Sequence, residues 1–481
     1  MDVKIYRSIT EIDRARWNAI VPKDRVICSH EYIELIERSG VNEGRRYYVV
    51  VCDGDEIVAH TFAYLMNTEL DLLAQGPLKK AINLVRRVRK SFFILRYLEC
   101  GSPAEVGNVI SLKSDADRAA VMRLLCNGIE GLAKELGVKF LVLRDFYNEE
   151  KEFHDIFKKF GYIKAHNLPK AEIRIKWRSF DEYLNSMRSS YRCKIVKSMK
   201  KGADANVNIR VLKEFSANAR ELKRLYDNTS VRAKEIKREP FTEAFFQNAD
   251  KYLGNRSVLL LAEKDSRPIG FMLLLVNHKE LIPTVIGLDY DCHQECCTYF
   301  NLFYKTIELA IEMKMERIDM GITTLDPKRD MGSDVVALNM YMKHYNPVFH
   351  KTIPVLFDMI TPPDTTQPRN VFKDSNGGFT LLETMVTVAI VSLLAAIAIP
   401  NFVTAKTQAH GHTCIANLKQ IDNAKSVWAL NNNQPDTAIP TWEQLVPDYL
   451  KHQPTCPANG TYTIADLNTS PSCTTSGHVL D

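Results

Sequence analysis

The chain has 481 residues, enough for about three domains at roughly 150 residues each. Hydrophobic residues make up 45 % and charged residues 25 %, which excludes a mainly disordered chain, a collagen-like chain and a multi-span transporter. The net charge of +5 is uneven, −3 over residues 379–481 and +8 before them, so two regions with different surroundings are expected.

The amino terminus, MDVKIYRSIT, lacks an apolar core and a small-residue cleavage site. No secretory signal is expected there, and the first region is expected to fold in the cytoplasm. Tyr48 to Tyr64 reads as strand, polar turn, strand. Leu78 to Arg96 sets Lys79, Lys80, Arg86, Arg87, Arg89 and Lys90 beside Leu78, Ile82, Val85 and Phe92. That is a basic amphipathic helix or insertion, suited to anionic lipid or to packing on its own domain. Ala116 to Gly137 is an amphipathic helix with Val121, Leu124, Leu125, Ile129, Leu132 and Leu136 inward. Lys139 to Asp145 follows as a buried strand. Ser179 with Glu182 forms a capping box, and Arg188, Arg192, Lys194, Lys197, Lys200 and Lys201 follow. A partly solvated helix is favoured there over RNA contact, because no aromatic platform accompanies the charges.

Val258 to Leu275 repeats the strand–turn–strand pattern with its turn at Asp265 to Pro268. Gly287 to Asp291 ends a strand before a helix start. Asp289, Tyr290 and Asp291 are therefore acid/base or orienting candidates, or plain turn residues. Cys292-His293-x-x-Cys296-Cys297 has no second ligand pair at finger-like spacing, so no metal is expected. Tyr299 to Lys314 is a helix with Phe300, Phe303, Tyr304, Ile307 and Ile311 on one face, and Glu316 to Gly321 is the next strand. Lys328 and Arg329 either hold an anionic group or form a solvated loop pair. Hairpin, helix and strand, met twice, predict a mixed α/β fold duplicated with unequal insertions.

Thr361 to Asn376 holds three prolines and reads as an exposed connector. Phe379 to Pro400 is a 22-residue apolar run whose one charge is Glu383, long enough to cross a bilayer as a helix. Eight cysteines precede it and three follow, Cys414, Cys456 and Cys473. If the run enters with its amino-terminal side inside, those three face an oxidising space. Beyond Pro400 an amphipathic face of Ile415, Leu418, Ile421, Ala424 and Trp428 continues the helix until Asn431-Asn432-Asn433. Pro435 to Leu450 reads as a loop and a short helix, and the tail as a strand pair with Thr461 to Ile464 as one strand.

Two family resemblances follow from these residues. Gly378 before Phe379-Thr380-Leu381-Leu382-Glu383 and the apolar run resembles the opening of type IV prepilins and type II secretion pseudopilins. The resemblance implies cleavage after Gly378 by a prepilin peptidase, N-methylation of Phe379, and a Glu383 carboxylate that pairs with a neighbouring subunit. Cys456 and Cys473 bracket the strand pair and are candidates for a disulfide. Cys414 is then left over, the pairing stays open, and three free thiols are the alternative.

The two halves before it resemble a tandem GNAT-type acyltransferase of the FemAB-like group. The resemblance rests on Tyr299-Phe300-Asn301-Leu302-Phe303-Tyr304, Asp319-Met320-Gly321 and Lys328-Arg329-Asp330-Met331-Gly332. It implies acyl or aminoacyl transfer to an amine of an envelope precursor, with acyl-CoA or aminoacyl-tRNA as donor and no metal. Asp289, Tyr290 and Asp291 are then the catalytic candidates, and Lys328, Arg329, Tyr299 and Asn301 the substrate-binding ones. The expected layout is two GNAT-like halves, 1–165 and 166–360, a linker with the cleavage motif, 361–378, a transmembrane helix, 379–400, and a small α+β head, 401–481. Expected partners are prepilin peptidase, other pilin-like subunits and the inner membrane, with the first part cytoplasmic and the head periplasmic or extracellular. The alternatives are a filament subunit with a long leader and a gene fusion without joint function.

Overall fold

The computed structural model describes residues 1–41, 45–69, 94–232, 240–360, 369–373 and 381–480. The chain divides into two compact units, Met1–Lys373 and Asp374–Asp481.

The first unit is built on one mixed sheet. In chain order its strands are β1 (Asp2–Tyr6), β2 (Arg46–Asp53), β3 (Glu56–Glu69), β4 (Ile94–Cys100), β5 (Ser111–Leu112), β6 (Phe140–Tyr147) and β7 (Ile163–Arg174). They continue with β8 (Val207–Leu212), β9 (Ser257–Lys264), β10 (Arg267–Asn277), β11 (Glu280–Leu288), β12 (Arg317–Gly321) and β13 (Asp334–His344). Their order across the sheet is β1-β2-β3-β4-β6-β13-β7-β12-β11-β10-β9-β8, with β5 on β3.

The duplication is visible in this order. Each half begins with antiparallel hairpins and ends in one parallel pair, β4 with β6 and β11 with β12. A helix bridges each parallel pair, Arg118–Glu135 in the first half and Thr298–Glu312 in the second. The hairpins follow turn chemistry. Gly54 has φ 59°, and Asp265 and Ser266 both lie in the left-handed region that a tight two-residue turn requires. The Asp117 side chain accepts from the Ala119 and Ala120 amides to start the first helix, and Gly137 at φ 65° ends it.

The halves also exchange strands. β7 leaves the first half to pair with β12, and β13 returns from the second half to lie between β6 and β7. The 165/166 boundary expected from the sequence therefore falls inside a continuous strand. One core fills the first half and reaches under the second with Trp17, Tyr48, Phe62, Phe146, Phe245 and Phe271. A second packs the helix Thr298–Glu312 on β9–β12, and a small third cluster joins Phe140, Val142, Ala165, Met340 and Met342. Each such side chain contributes about 1.5–3 kcal/mol by leaving water.

Three expectations change. Residues 78–93 of the basic stretch lie outside the described residues, and from Ile94 the chain is strand rather than helix. The expected capping box is only half made. Ser179 caps a short helix, Phe180–Ser186, by accepting the Glu182 amide at 3.1 Å, but the Glu182 carboxylate accepts from the Arg178 amide at 2.7 Å. Arg188 is the N-cap of a second helix, Ser189–Asp204, on which the other basic residues ride. Residues 369–373 of the expected connector are pinned through Val371 and Phe372, while Arg369, Asn370 and Lys373 stay exposed. Val371 is buried, its carbonyl accepts from the Arg188 amide at 2.9 Å, and Phe372 packs 5.0 Å from Trp177. Arg369 holds Asp326 at 2.9 Å and also pairs with Asp330. The Val371–Phe372 apolar pair drives this docking. Gly332, at φ 89°, lies directly under the Phe372 ring, which a Cβ would overlap. Gly332→Ala is expected to cost about 1–3 kcal/mol by overpacking, read as a drop in thermal midpoint.

The second unit is carried by one helix, Leu381–Asn431, with Pro400 inside it. At 1.5 Å per residue it is about 76 Å long. From Val388 onward it is long and apolar enough to cross a membrane, and Ile390, Leu393, Leu394 and Ile397 all point outward. Its last turns pack the head through Cys414, Leu418, Ile421, Ala424 and Trp428, so Cys414 takes the inward place expected of Ile415. The short helix is Trp442–Leu445, and Tyr462–Thr463 pairs with Ser472–Cys473. Lys425 is buried and donates to the Asp466 and Thr469 carbonyls at 2.7 and 2.5 Å, which ties down the last loop. Cys414, Cys456 and Cys473 stand as free cysteines in the structure. Gly378 and Phe379 lie outside the described residues, and Glu383 is placed as a helix position alone.

Candidate active site

β11 and β12 run parallel. Among the described residues they pair through Glu280–Arg317 and Leu281–Ile318 alone. Beyond those positions each strand follows its outer neighbour. Leu288 stays opposite Gly270 of β10, while Asp319 and Gly321 stay with Glu172 and Ala171 of β7. The two carboxyl ends therefore part and open a wedge, the kind of place where open α/β sheets bind ligands. The helix Thr298–Glu312 connects the two strands and starts from the same end. Its N-cap, Cys297, is left-handed and supplies no side-chain cap, and the Thr298 amide donates instead to the His293 carbonyl at 3.1 Å.

The first half handles the matching position differently. There the loop after β4 is almost wholly buried, and Arg144 fills the space against Gly101 and Ser102. Asp145, left-handed at φ 71° and 1 % exposed, accepts from Asn167 at 2.6 Å and from the Gly107 amide at 3.2 Å. The first wedge is thus filled by its own chain, which leaves the second as the candidate among the described residues.

Asp289, Tyr290 and Asp291 stand where β11 ends. Asp289 is buried, ion-paired with Arg267 at 2.9 Å, and accepts the Asp291 amide at 3.1 Å. It closes the turn and holds the strand end. Tyr290 is half-buried with the Arg232 guanidinium 4.4 Å over its ring and the His293 ring 4.5 Å away. Asp291 is exposed. Of the three, Asp291 is exposed and Tyr290 half-buried, while Asp289 is buried and braces the turn.

Lys328 and Arg329 follow β12. Both are buried, at 3 % and 7 % exposure, so the solvated-pair alternative is corrected. The Lys328 ammonium folds back to donate to the Thr323 carbonyl and lies 5.9 Å from the Phe303 ring. Arg329 reaches Asp326 at 3.6 Å. Tyr299 packs edge-on to Phe300 and 4.9 Å from Phe303, one helical turn from the Lys328 contact. Asn301 turns the other way. It donates to the Ser198 and Cys296 carbonyls and ties two helices together. The groove beside it holds about 180 Å³, below the roughly 300–1,000 Å³ of ligand pockets. The groups of Cys292–Cys297 turn to separate partners. His293 faces the Tyr290 carbonyl, Cys292 the Asp289 carbonyl and Cys297 the Gln294 carbonyl.

The sequence did not reveal a buried charge cluster at the base of the wedge. Lys170, on β7, is 1 % exposed and reaches Asp319 at 2.8 Å, Glu172 at 3.7 Å and Glu280 at 3.9 Å. Burial pulls the Lys170 pKa down, but the Asp319 carboxylate and its acidic neighbours outweigh it and raise the value, so the ammonium stays charged. Asp319 also accepts the Gly321 amide at 2.9 Å, which fixes the bend where the Lys328 loop begins. Burial likewise raises the Glu280 carboxyl above its ordinary range against the opposing pull of Lys170. Lys170 and Glu172 alternate with Ala171 and Ile173 as in a strand with a solvent face. Only the exchanged neighbours bury them, a long-range effect with no local signal.

The first unit is thus a duplicated, strand-exchanged mixed α/β sheet whose second parallel pair parts at its carboxyl ends. Residues 89–353 match the FemAB-like family, described as peptidoglycan biosynthesis/recognition, and the chain belongs to that family. Residues 373–399 match the prokaryotic N-terminal methylation motif. Both resemblances read from the sequence are therefore met. A Mycobacterium tuberculosis protein named as an 8-amino-7-oxononanoate synthase 2 is 26 % identical over 328 residues, 67 % of this chain and 42 % of that protein. The chain thus spans less than half of that relative's length. The Type II secretion system core protein G of Aeromonas hydrophila is 35 % identical over 83 residues, 17 % of this chain and 54 % of that protein. The solved structure of FemX covers 74 % of this chain and 100 % of its own, at 11 % identity and a TM-score of 0.48.

Proposed function

We propose that the first unit joins an acyl or aminoacyl group to an amine of an envelope precursor, and that the pilin-type helix holds it at the inner membrane. The observation that carries this reading is the presence, on one chain, of a FemAB-like match and a methylation-motif helix. The first unit would lie in the cytoplasm and the head on the far side. Prepilin peptidase and pilin-like subunits are the partners the motif suggests.

In the reaction the amine nitrogen attacks the donor carbonyl. The carbon–sulfur bond of an acyl-CoA or the ester bond of an aminoacyl-tRNA breaks, and the amine proton passes to the leaving thiol or hydroxyl. Asp291, exposed at the wedge, would orient or deprotonate the amine, with Tyr290 beside it. The positive end of the helix Thr298–Glu312 dipole would favour negative charge on the donor or on the developing oxyanion. Lys328 and Arg329, buried behind them, would add positive potential rather than a direct grip.

The test incubates the detergent-purified chain with each donor class and a lipid-linked or soluble peptidoglycan precursor, and follows the new amide by mass spectrometry. One donor is expected to yield product. Asp291→Asn, whose backbone bond to Asp289 is unchanged, is expected to lower the rate about 10²-fold at unchanged thermal midpoint. No product with either donor would remove the transferase reading. The methylation motif and the pilin relatives favour one second reading, a filament subunit with a long leader.

A further inference from the structure

Four metal-binding side chains converge in the head from four stretches of chain. Cys414 comes from the long helix, Cys456 from the loop before the strand pair, Cys473 from its second strand and His478 from the last turn. Their ligand atoms all lie within 4.8 Å of one another, and Cys456 Sγ is 3.7 Å from His478 Nδ1. A tetrahedral ion with sulfur at about 2.3 Å and nitrogen at about 2.0 Å sets its donors about 3.5–3.8 Å apart. Cys414, Cys456 and His478 are buried at 0 %, 6 % and 6 % exposure, and Cys473 is half-buried.

The surroundings are built for thiolates. The Ala458 and Gly460 amides point at the Cys456 sulfur. The Thr475 amide donates to Cys473 Sγ at 3.5 Å, and the Tyr462 hydroxyl to Cys414 Sγ at 3.4 Å. Such outer hydrogen bonds orient sulfur ligands and offset their charge. The turn that aims the two amides, Cys456-Pro457-Ala458-Asn459-Gly460, needs left-handed Asn459 at φ 57°. A Cβ on Gly460 would stand 2.6 Å from Cys473 Sγ. A disulfide between any two of the three cysteines would strand the third thiol beside an imidazole. The head's core is small, so an ion at its centre would contribute folding energy directly.

The geometry points to a structural zinc site in the head, with Cys414, Cys456, Cys473 and His478 as its four ligands. All four positions are filled by protein, as in a closed structural site, so the ion would hold the strand pair and the last turn on the long helix rather than act on a substrate. The inference stands independently of the transferase reading.

The test uses the full chain, extracted from membranes in detergent without added reductant and with free thiols alkylated only after metal analysis. About one zinc per chain is expected by elemental mass spectrometry, absent from Cys456→Ser and kept by His478→Cys. Cobalt exchanged into the wild-type chain should give the charge-transfer and visible bands of a tetrahedral thiolate complex. Wild-type protein with little zinc and a Cys456–Cys473 disulfide would overturn the site, as would full zinc retention by Cys456→Ser. Should Cys456→Ser fail to accumulate, the cobalt spectrum decides, and absence of the thiolate bands overturns it.

Discussion

Lys170→Met is expected to destabilise the first unit by about 3–5 kcal/mol, because removing one partner of a buried ion pair leaves the other uncompensated. Here Asp319 at 2.8 Å loses its cation, while Glu280 keeps Arg317 at 2.9 Å. The loss should depend on pH. Burial already raises the Glu280 pKa above its ordinary 4.5, and Lys170 is what opposes that rise. A carboxyl whose folded pKa exceeds its unfolded one binds more protons in the native state, so stability falls as pH climbs through that window. Without Lys170 the window widens. The variant should therefore be weakest at neutral pH and recover on mild acidification, as read by denaturant unfolding at the two pH values. A Lys170→Met, Asp319→Leu pair should regain part of the loss, because both charges are then gone. A single variant as stable as wild type at neutral pH would show that the cluster carries no net weight.

The second large effect concerns processing. Beside an active prepilin peptidase the wild-type chain is expected to yield a fragment beginning at Phe379 with an N-methylated amino group, seen by immunoblot and mass spectrometry. Gly378→Val should leave the chain whole. Glu383→Ala should still be cut but should assemble or methylate poorly, since a carboxylate near one end of an apolar helix is costly unless a partner offsets it. A wild-type chain that stays whole would favour a permanently anchored enzyme over a filament subunit. Complete cleavage would release the first unit from its anchor.

Much of this was legible locally. The hairpins at Tyr48–Tyr64 and Val258–Leu275, the two crossover helices and the apolar run all announce themselves through period and turn chemistry, which act over a few residues. The methylation motif is a linear signal and was read residue by residue. The wedge was legible in part. Asp289, Tyr290 and Asp291 flank it from β11, and Lys328 and Arg329 from β12, but their roles depend on burial. Asp289 proved to be a brace held by Arg267, and Asn301 a tie between helices. Lys170 gave no sign, because its partners Asp319 and Glu280 come from another part of the chain. The head cysteines were read in pairs, whereas His478, five residues past Cys473, completes a set of four only in three dimensions.

The exchange of β7 and β13 bears on how this gene can be divided. A product ending near residue 165 would present β6 as a bare edge, and one starting there would present β13 as another. Each edge carries the hydrogen-bonding register of the other, from Leu338 opposite Tyr147 to His344 opposite Phe140. Neither product has a closed sheet by itself, and an open edge invites unwanted pairing. Co-expressed, the two are natural complementary fragments, and a split reporter appended to them would light up only where both are made. The same seam ties the two halves together: removing either one unzips the other.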